Sequence, residues 1–476
     1  MQKLLKCLLI AAFFVVLILP LGFSFANGIN TEKLPQLIND DKKLNTEFDT
    51  QMNDFVSDNQ PFYDSAVVVN NFIHSNIFKS ETANVITGKD GYYYYSETRD
   101  DILHSNTLTD REIYNVSKTL ELIDEYCKNN NCDFVFTVAP NKATVYPQYL
   151  PINFLELNQP SNFQKLEKEL KNHSVKYADV KSKLVKSEKQ TYLKTDTHWN
   201  NYGALLAYNE IVETAGGEIP EELDKNRKFN MQTDHNGDLT SMLYEHRNNA
   251  EDQLYIETLD DIEKSIRIRI RGEKTRKSDE LIRKIASTDE DYVQINASSV
   301  KQNTNGNLLM LRDSFCRSMF PYFAYSYDTS TFIKSAAYNA YVNPCDAYDL
   351  FVFEIVERNI KELLLNEQRL PAPERDIISP SADVADKKLA SLNINNEYAD
   401  YTLVKGSISS TLLENKEDVF VQVTDTATGT SRCYEAFVGK LENNKFEYYL
   451  TTDDFIIENA TVQVIVNHTV VAQMTV

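Results

Sequence analysis

The chain has 476 residues, with 49 basic against 70 acidic side chains and a net charge of −21. That length exceeds what one compact core usually holds, so two or more domains are expected. So acidic a surface repels nucleic acid and anionic lipid headgroups. A polyanionic substrate would need a local basic patch, and a neutral glycan would not.

Residues 1–26 carry Lys3 and Lys6 and then a nearly unbroken apolar run from Cys7 to Phe25. Some 20 apolar residues would just span a hydrocarbon core, whereas Ser24-Phe25-Ala26 is a small-x-small site suited to cleavage. Signal peptide and signal anchor both remain open, and both place the rest of the chain outside the cytoplasm, either membrane-anchored or secreted. Cys7 sits too early for lipidation. Without this segment, which holds two lysines and no acid, the charge is −23. Cys127, Cys132, Cys316, Cys345 and Cys433 remain, an odd number with no zinc-ligand spacing, so neither metal nor cofactor is implied. Cys127 and Cys132 read equally as a local disulfide or as free thiols.

Residues 27–80 place Phe48, Met52, Phe55 and then Val67 to Ile73 at helical intervals, which predicts a helical lead-in broken near Asp58-Asn-Gln-Pro61. Val85 to Tyr95 predicts a hairpin about Gly-Lys-Asp-Gly. Thr109 with Glu112 forms a capping box for a helix to Lys128. Asp133-Phe-Val-Phe-Thr-Val-Ala-Pro140 has the composition of a strand buried on both faces. A helix over Asn162 to Asn172 and a strand over Val175 to Val180 follow. This alternation argues for an α/β domain with a mainly parallel sheet, whose sites lie beyond the carboxyl ends of strands. That rule points to Asn141, Lys142 and the Asp196 stretch as pocket residues. Between 215 and 300 the signal is weak: Asp234 to Leu239 reads as a polar turn, and Ser265 to Arg271 alternates like a half-exposed strand. Asn307 to Phe315 and Asp349 to Glu357 are further central strands. Three prolines within 371–380 mark a linker, assigned to 371–394. Beyond it, 395–476 holds short alternating strands, the pattern of a small β-sandwich, with glycan binding as one reading of its aromatic residues and core packing as the other.

Asp196-Thr-His-Trp199 contains an acid, an imidazole and the only tryptophan of the chain. In an extended segment Asp196 and His198 would share a face, and a carboxylate there can orient an imidazole acting as general base. A turn capping the helix over Ala204 to Thr214 is the competing account. Ser314 ends the apolar strand in Leu-Arg-Asp-Ser-Phe, where its Oγ can face a pocket and its own N–H a developing oxyanion. A serine hydroxyl needs a base within hydrogen-bond reach. His198 is the best candidate, and His235, flanked by Asp234 and Asp238, is its rival.

These stretches resemble the SGNH-hydrolase-like domain of alginate O-acetyltransferases and related DHHW proteins. The resemblance runs from about Phe48 to Asn359. It rests on Val85-Ile-Thr-Gly-Lys-Asp-Gly91, Ala139-Pro-Asn-Lys-Ala-Thr-Val-Tyr-Pro147, Lys194-Thr-Asp-Thr-His-Trp-Asn200 with Gly203, Gly237-Asp-Leu239, Arg312-Asp-Ser-Phe315 and Glu354-Ile-Val-Glu-Arg-Asn359. It departs from the Asp-His-His-Trp form at its second position, which is Thr197 here as in the alginate enzymes that read Asp-Thr-His-Trp, and at Arg312-Asp313, which replaces Gly-Asp before the serine. The resemblance implies a three-layer α/β domain over 81–370 and a triad in which Asp196 orients His198 and His198 activates Ser314. Asn141, Lys142, Trp199, Arg312, Arg317 and Tyr322 are candidates for substrate or oxyanion binding, with Trp199 more a packed support than a sugar platform. The expected activity is extracytoplasmic O-acetyl transfer to a polysaccharide, with a membrane-bound O-acyltransferase as the implied source of acetyl groups. An acetylesterase and a non-catalytic glycan-binding protein are the alternatives.

Overall fold

The computed structural model describes residues 84–152, 158–244, 250–270, 292–300, 305–335, 347–380, 389–395, 401–452 and 459–476, with a few isolated positions besides. The apolar segment 1–26 and nearly all of the helical lead-in lie outside the described residues. No helix among the described residues is long and apolar enough to cross a membrane.

Strands β1 (Val85–Thr87) and β2 (Tyr93–Tyr95) form the expected hairpin. Asp90 and Gly91 in its turn have φ of 53° and 81°, the left-handed conformations that tight hairpins use. Helices α1 (Arg99–Leu103) and α2 (Asp110–Asn129) follow, the latter opened by the Thr109–Glu112 capping box. Next come β3 (Asp133–Ala139), α3 (Lys142–Val145), α4 (Asn162–Glu169), β4 (Tyr177–Ala178), α5 (Val180–Val185) and α6 (Asn201–Ala215). The strand expected over Val175 to Val180 is thus two residues long, because Asp179 caps the Ser182 N–H and starts α5.

The polar stretch Asp234 to Asn236 is not a turn. It ends β5 (Phe229–Asn236), and only Gly237 breaks into α7 (Asp238–Leu243). Strand β5 pairs with β6 (Ala250–Ile256). Its residues show no apolar alternation, so the cross-strand ladder sets its conformation. Beyond α8 (Leu259–Lys264) the chain runs through β7 (Ile266–Ile270), β8 (Tyr292–Ser299), β9 (Asn307–Arg312), α9 (Phe320–Ser326), β10 (Thr329–Ser335), β11 (Leu350–Val356) and α10 (Glu362–Leu365).

The central sheet has the order β4-β3-β11-β9-β10-β8-β7. Its first five strands are parallel, and β8 and β7 are antiparallel at one edge. On β7 the isoleucines at 266 and 268 are buried and the arginines at 267 and 269 exposed, as the strict alternation predicts. Alternate residues of β3, β9 and β11 serve two cores. Val135, Met310 and Val352 pack with α6 and α9 on one side, and Phe134, Leu309 and Phe351 with α2 and α4 on the other. Each such side chain contributes roughly 1.5–3 kcal/mol by burial, which gives the three layers their cohesion.

The C-terminal part is two packed antiparallel sheets, β12-β16-β15-β19-β20 and β13-β14-β18-β17. These strands are β12 (Glu374–Arg375), β13 (Asn393–Asn395), β14 (Thr402–Ser409), β15 (Val419–Asp425), β16 (Ser431–Glu435), β17 (Phe437–Glu442), β18 (Lys445–Thr452), β19 (Ala460–Val466) and β20 (Thr469–Thr475). Tyr434, Phe437, Phe446, Tyr448 and Tyr449 are buried, so they build the core rather than a sugar-stacking surface. Strand β12 comes from the proline-rich segment, and Arg375 on it joins Glu125 of α2, through two contacts of 2.6 Å, to the buried Glu435. Lys118 also reaches Glu435 at 2.8 Å, and Asn115 Nδ2 donates to the Gly439 carbonyl. The sandwich is therefore fastened to the outer face of α2. Arg375→Ala should cost about 1–2 kcal/mol, read as a lower midpoint in thermal unfolding.

Candidate active site

The segment from Thr191 to Asn200 links α5 to α6 and crosses the carboxyl end of the sheet. An isolated antiparallel bridge between Tyr192 and Trp199 closes it into a compact loop. The neck is tight: a Cβ on Gly203, in the first turn of α6, would lie 2.3 Å from the Thr191 carbonyl oxygen. Asn200 caps α6 by accepting from the Gly203 N–H.

Three charged side chains satisfy the loop's backbone. Lys142, buried at the start of α3, donates to the carbonyls of Leu193, Lys194 and Asp196 at 3.1, 2.8 and 2.6 Å. Burial pushes its ammonium down to about 8, against the pull of Asp196, Asp238 and Glu251. Glu251 of β6 accepts from the N–H groups of Lys194 and Thr195 at 2.7 and 2.6 Å. Asp238 of α7 accepts from Thr197 N–H and Oγ1 at 2.7 and 2.8 Å. An unpaired buried backbone group costs about 1–3 kcal/mol, so the loop owes its shape to these partners.

Asp196 and His198 meet, though not through the alternation of a strand. The segment bends, and the His198 N–H donates to Asp196 Oδ1 at 2.9 Å while ring Nδ1 lies 2.8 Å from the same oxygen, the local habit of aspartate in turns. His198 Nε2 lies 2.8 Å from Ser314 Oγ. Burial opposes the charge of Asp196, but its hydrogen bonds with His198 and His235 outweigh that and hold its carboxyl well below the usual range.

Ser314 stands where β9 passes into a short 3-10 turn, Phe315–Ser318. Asp313 pins that turn. Its Oδ1 accepts from the Phe315 N–H at 2.8 Å, and its Oδ2 from the Val356 N–H at 2.7 Å and the Tyr338 hydroxyl at 2.9 Å. Its own N–H donates to Glu354 Oε2. Burial and the neighbouring Asp313 push the Glu354 carboxyl well above its ordinary range. Trp199 ties the two halves together: Nε1 donates to the Phe315 carbonyl at 3.0 Å, and the two rings meet edge-on at 5.0 Å.

His198 and Ser314 open into a cavity of about 330 Å³, lined also by Asn201, Tyr255, Arg317 and Tyr322. Phe315 N–H is spent on Asp313, whereas the Ser314 N–H has no acceptor among the described residues. Arg317 Nε is buried and likewise without an acceptor among them. Of the other sequence candidates, Tyr322 and Trp199 line the cavity. Asn141, Lys142 and Arg312 do not. Asn141 is buried between Glu357 and Asp101, Lys142 lies beneath the loop, and the Arg312 guanidinium is buried against the Asp313 carbonyl. Strand-end position placed them near the site, but their side chains brace it from behind.

Asp196, His198 and Asp238 bring donor atoms within 4.8 Å of one another, a spacing that would suit a cation. Each of those carboxylates already accepts hydrogen bonds from the loop or the histidines, so the group reads as a proton-handling network. His235, expected as a rival to His198, joins it from the far side, with Nε2 at 2.7 Å from Asp196 Oδ2. Asp238 and Asp313 stand within quoted motifs but receive no role from sequence. Glu251 has no sequence signal at all.

A hydroxyl held by an imidazole that a buried carboxylate orients can surrender its proton as it attacks a carbonyl. Gly237 tests how tightly this depends on the loop, since a Cβ there would lie 2.0 Å from the Thr195 carbonyl oxygen. Gly237→Ala should cost about 2 kcal/mol and lower ester cleavage at least about ten-fold, measured by thermal unfolding and by an acetyl-ester assay on the folded variant.

Residues 85–276 match the family described as the SGNH hydrolase-like domain of acetyltransferase AlgX. A probable alginate O-acetylase AlgJ of Azotobacter vinelandii is 29% identical over 134 residues, covering 25% of this chain and 32% of that protein. The Pseudomonas syringae pv. tomato counterpart is 22% identical over 175 residues, covering 35% and 43%. The chain thus spans less than half the length of these curated relatives. A solved DHHW family protein from Eubacterium siraeum shares 14% identity at a TM-score of 0.43, covering 60% of this chain and 97% of its own. Over residues 85–276 the chain is thus similar to the SGNH hydrolase-like domain of acetyltransferase AlgX, and over part of its length to the alginate O-acetylases.

Proposed function

We propose that the protein is an O-acetyltransferase that acts outside the cytoplasm on hydroxyl groups of a polysaccharide. The observation that carries this reading is the unbroken hydrogen-bonded line from Ser314 Oγ through the His198 ring to Asp196, opening into a cavity. Asp196 Oδ1 can only accept, so His198 Nδ1 carries the proton and Nε2 is the basic nitrogen facing the serine. Ser314 Oγ attacks the acetyl carbonyl while Nε2 takes its proton. The tetrahedral oxyanion is stabilised by the Ser314 N–H, with Arg317 as a second donor. Each well-placed donor of this kind is worth about 3–4 kcal/mol.

Collapse of the intermediate breaks the bond to the leaving group, which receives the proton from His198, and leaves acetyl on Ser314. A sugar hydroxyl then enters, gives its proton to Nε2 and takes the acetyl group, and the proton returns to Ser314. Tyr255, Tyr322 and Asn201 offer the wall against which a sugar would lie. The apolar segment Cys7 to Phe25 supports an extracytoplasmic location. Acetyl-CoA is absent there, so a membrane-bound O-acyltransferase is proposed to deliver the acetyl group.

Ser314→Ala and His198→Ala should each reduce turnover of p-nitrophenyl acetate by about a thousand-fold or more with the fold intact by circular dichroism. Retained turnover in both would remove the mechanism and favour a glycan-binding role. Mass spectrometry of products made with an oligosaccharide acceptor separates the two enzymatic outcomes. Acetylated sugar is expected, and free acetate alone would reassign the site to an esterase.

A further inference from the structure

The proposed reaction uses one oxygen of Asp196, and the other is held as closely. His235 Nε2 lies 2.7 Å from Oδ2, against 2.8 Å between His198 Nδ1 and Oδ1. His235 ends β5, and its side chain is about a third exposed, at 34%, on the wall of the same cavity. Its neighbours are mostly acidic. Asp196 is hydrogen-bonded to it, Glu251 stands opposite it in the β5–β6 ladder, and Asp238 on α7 completes the group. On the other side of Asp196 are the His198 ring and the Lys142 ammonium beneath the loop, and Arg317 lies across the cavity.

A carboxylate oxygen accepts only, so His235 Nε2 carries a hydrogen whether the ring is neutral or cationic. The additional proton goes to Nδ1 and leaves the bond to Asp196 intact. His198 differs, because its additional proton goes to Nε2, the atom the reaction needs free. A cation at His235 also opposes a second cation on the same carboxylate, since two groups so close titrate as a pair.

We propose, resting on the triad reading above, that His235 is a positioning residue that takes up a proton ahead of His198 and so keeps His198 a free base in mildly acidic surroundings. The direction of its titration agrees. Burial lowers the basicity of the ring, but the hydrogen bond and charge of Asp196, with Glu251 and Asp238 behind, raise it above the ordinary histidine value. No proton is transferred between His235 and substrate in this scheme; it acts only through Asp196.

The test is the pH profile of kcat/KM for p-nitrophenyl acetate between about pH 4.5 and 9, in the full chain. His235→Gln keeps an N–H near the position of Nε2 but cannot take a proton. Whatever the height of its plateau, its acid limb should move to higher pH by about half a unit or more. A lower plateau with an unmoved limb would mean a merely structural role and would overturn the proposal, as would a limb moved to lower pH. Should His235→Gln not fold, titration of the histidine rings by nitrogen NMR in the unsubstituted protein decides instead, with signals assigned through His198→Asn. His235 protonating at higher pH than His198 is expected, and the reverse order refutes it. If Ser314→Ala and His198→Ala keep activity, the triad reading itself falls. If they lose it and the His235→Gln limb is unmoved, only the present inference falls.

Discussion

The loop that presents Asp196 and His198 has almost no secondary structure of its own, and its backbone would be badly unsatisfied without help. Lys142 supplies a cation to three of its carbonyls, while Glu251 and Asp238 supply oxygens to its N–H groups. These three residues come from a helix after β3, a strand of the β5–β6 hairpin and the helix after that hairpin. The loop's geometry therefore reports on the folding of three separate elements. An oppositely charged bracket of this kind tolerates little displacement, because each charge is buried or half-buried and is stabilised mainly by the partners it holds.

Ser314 is fixed by an independent device. Asp313 turns the chain out of β9 and bonds across to Val356 at the end of β11 and to Tyr338, so Ser314 is tied to two adjacent parallel strands. Glu354, buried beneath it, accepts the Asp313 N–H. The two devices meet at one contact, Trp199 with Phe315, where packing sets the 2.8 Å between His198 and Ser314. His198 and Ser314 are thus each held by several hydrogen bonds and registered against each other by an aromatic pair. This is the arrangement expected where a small error in distance costs much of the rate.

The sandwich takes no part in that arrangement. Its contacts run to α2, on the outer face of the opposite helical layer, through Arg375, Lys118, Asn115 and Tyr114. Several of these side chains are partly exposed and pair with acids, and the apolar part of the junction is the small cluster of Leu122, Leu403, Phe437 and Tyr449. The contact is polar in the manner of an interface between two units that each have a core.

The order of buried strands and helices was legible from residue patterns. Apolar runs such as 133–139, 307–312 and 350–356 have one stable destination, a strand covered on both faces, and the capping box at Thr109 marks its helix without ambiguity. The meeting of Asp196, His198 and Ser314 was legible mainly because the neighbouring motifs resemble a known family, since residue chemistry alone left a helix-capping turn and His235 as competing accounts. Tertiary structure alone decided the rest. The polar strand β5 carries no periodicity, so its pairing with β6 determines where His235 points. Strand-end position could not tell Lys142 and Asn141, which brace the loop from beneath, from residues that face the cavity. Glu251 is one acid among many in sequence, and only the ladder places it under Lys194 and Thr195. Residue type and local spacing determined which chemistry is available, whereas long-range hydrogen bonds between distant elements decided which side chains line the site and which support it.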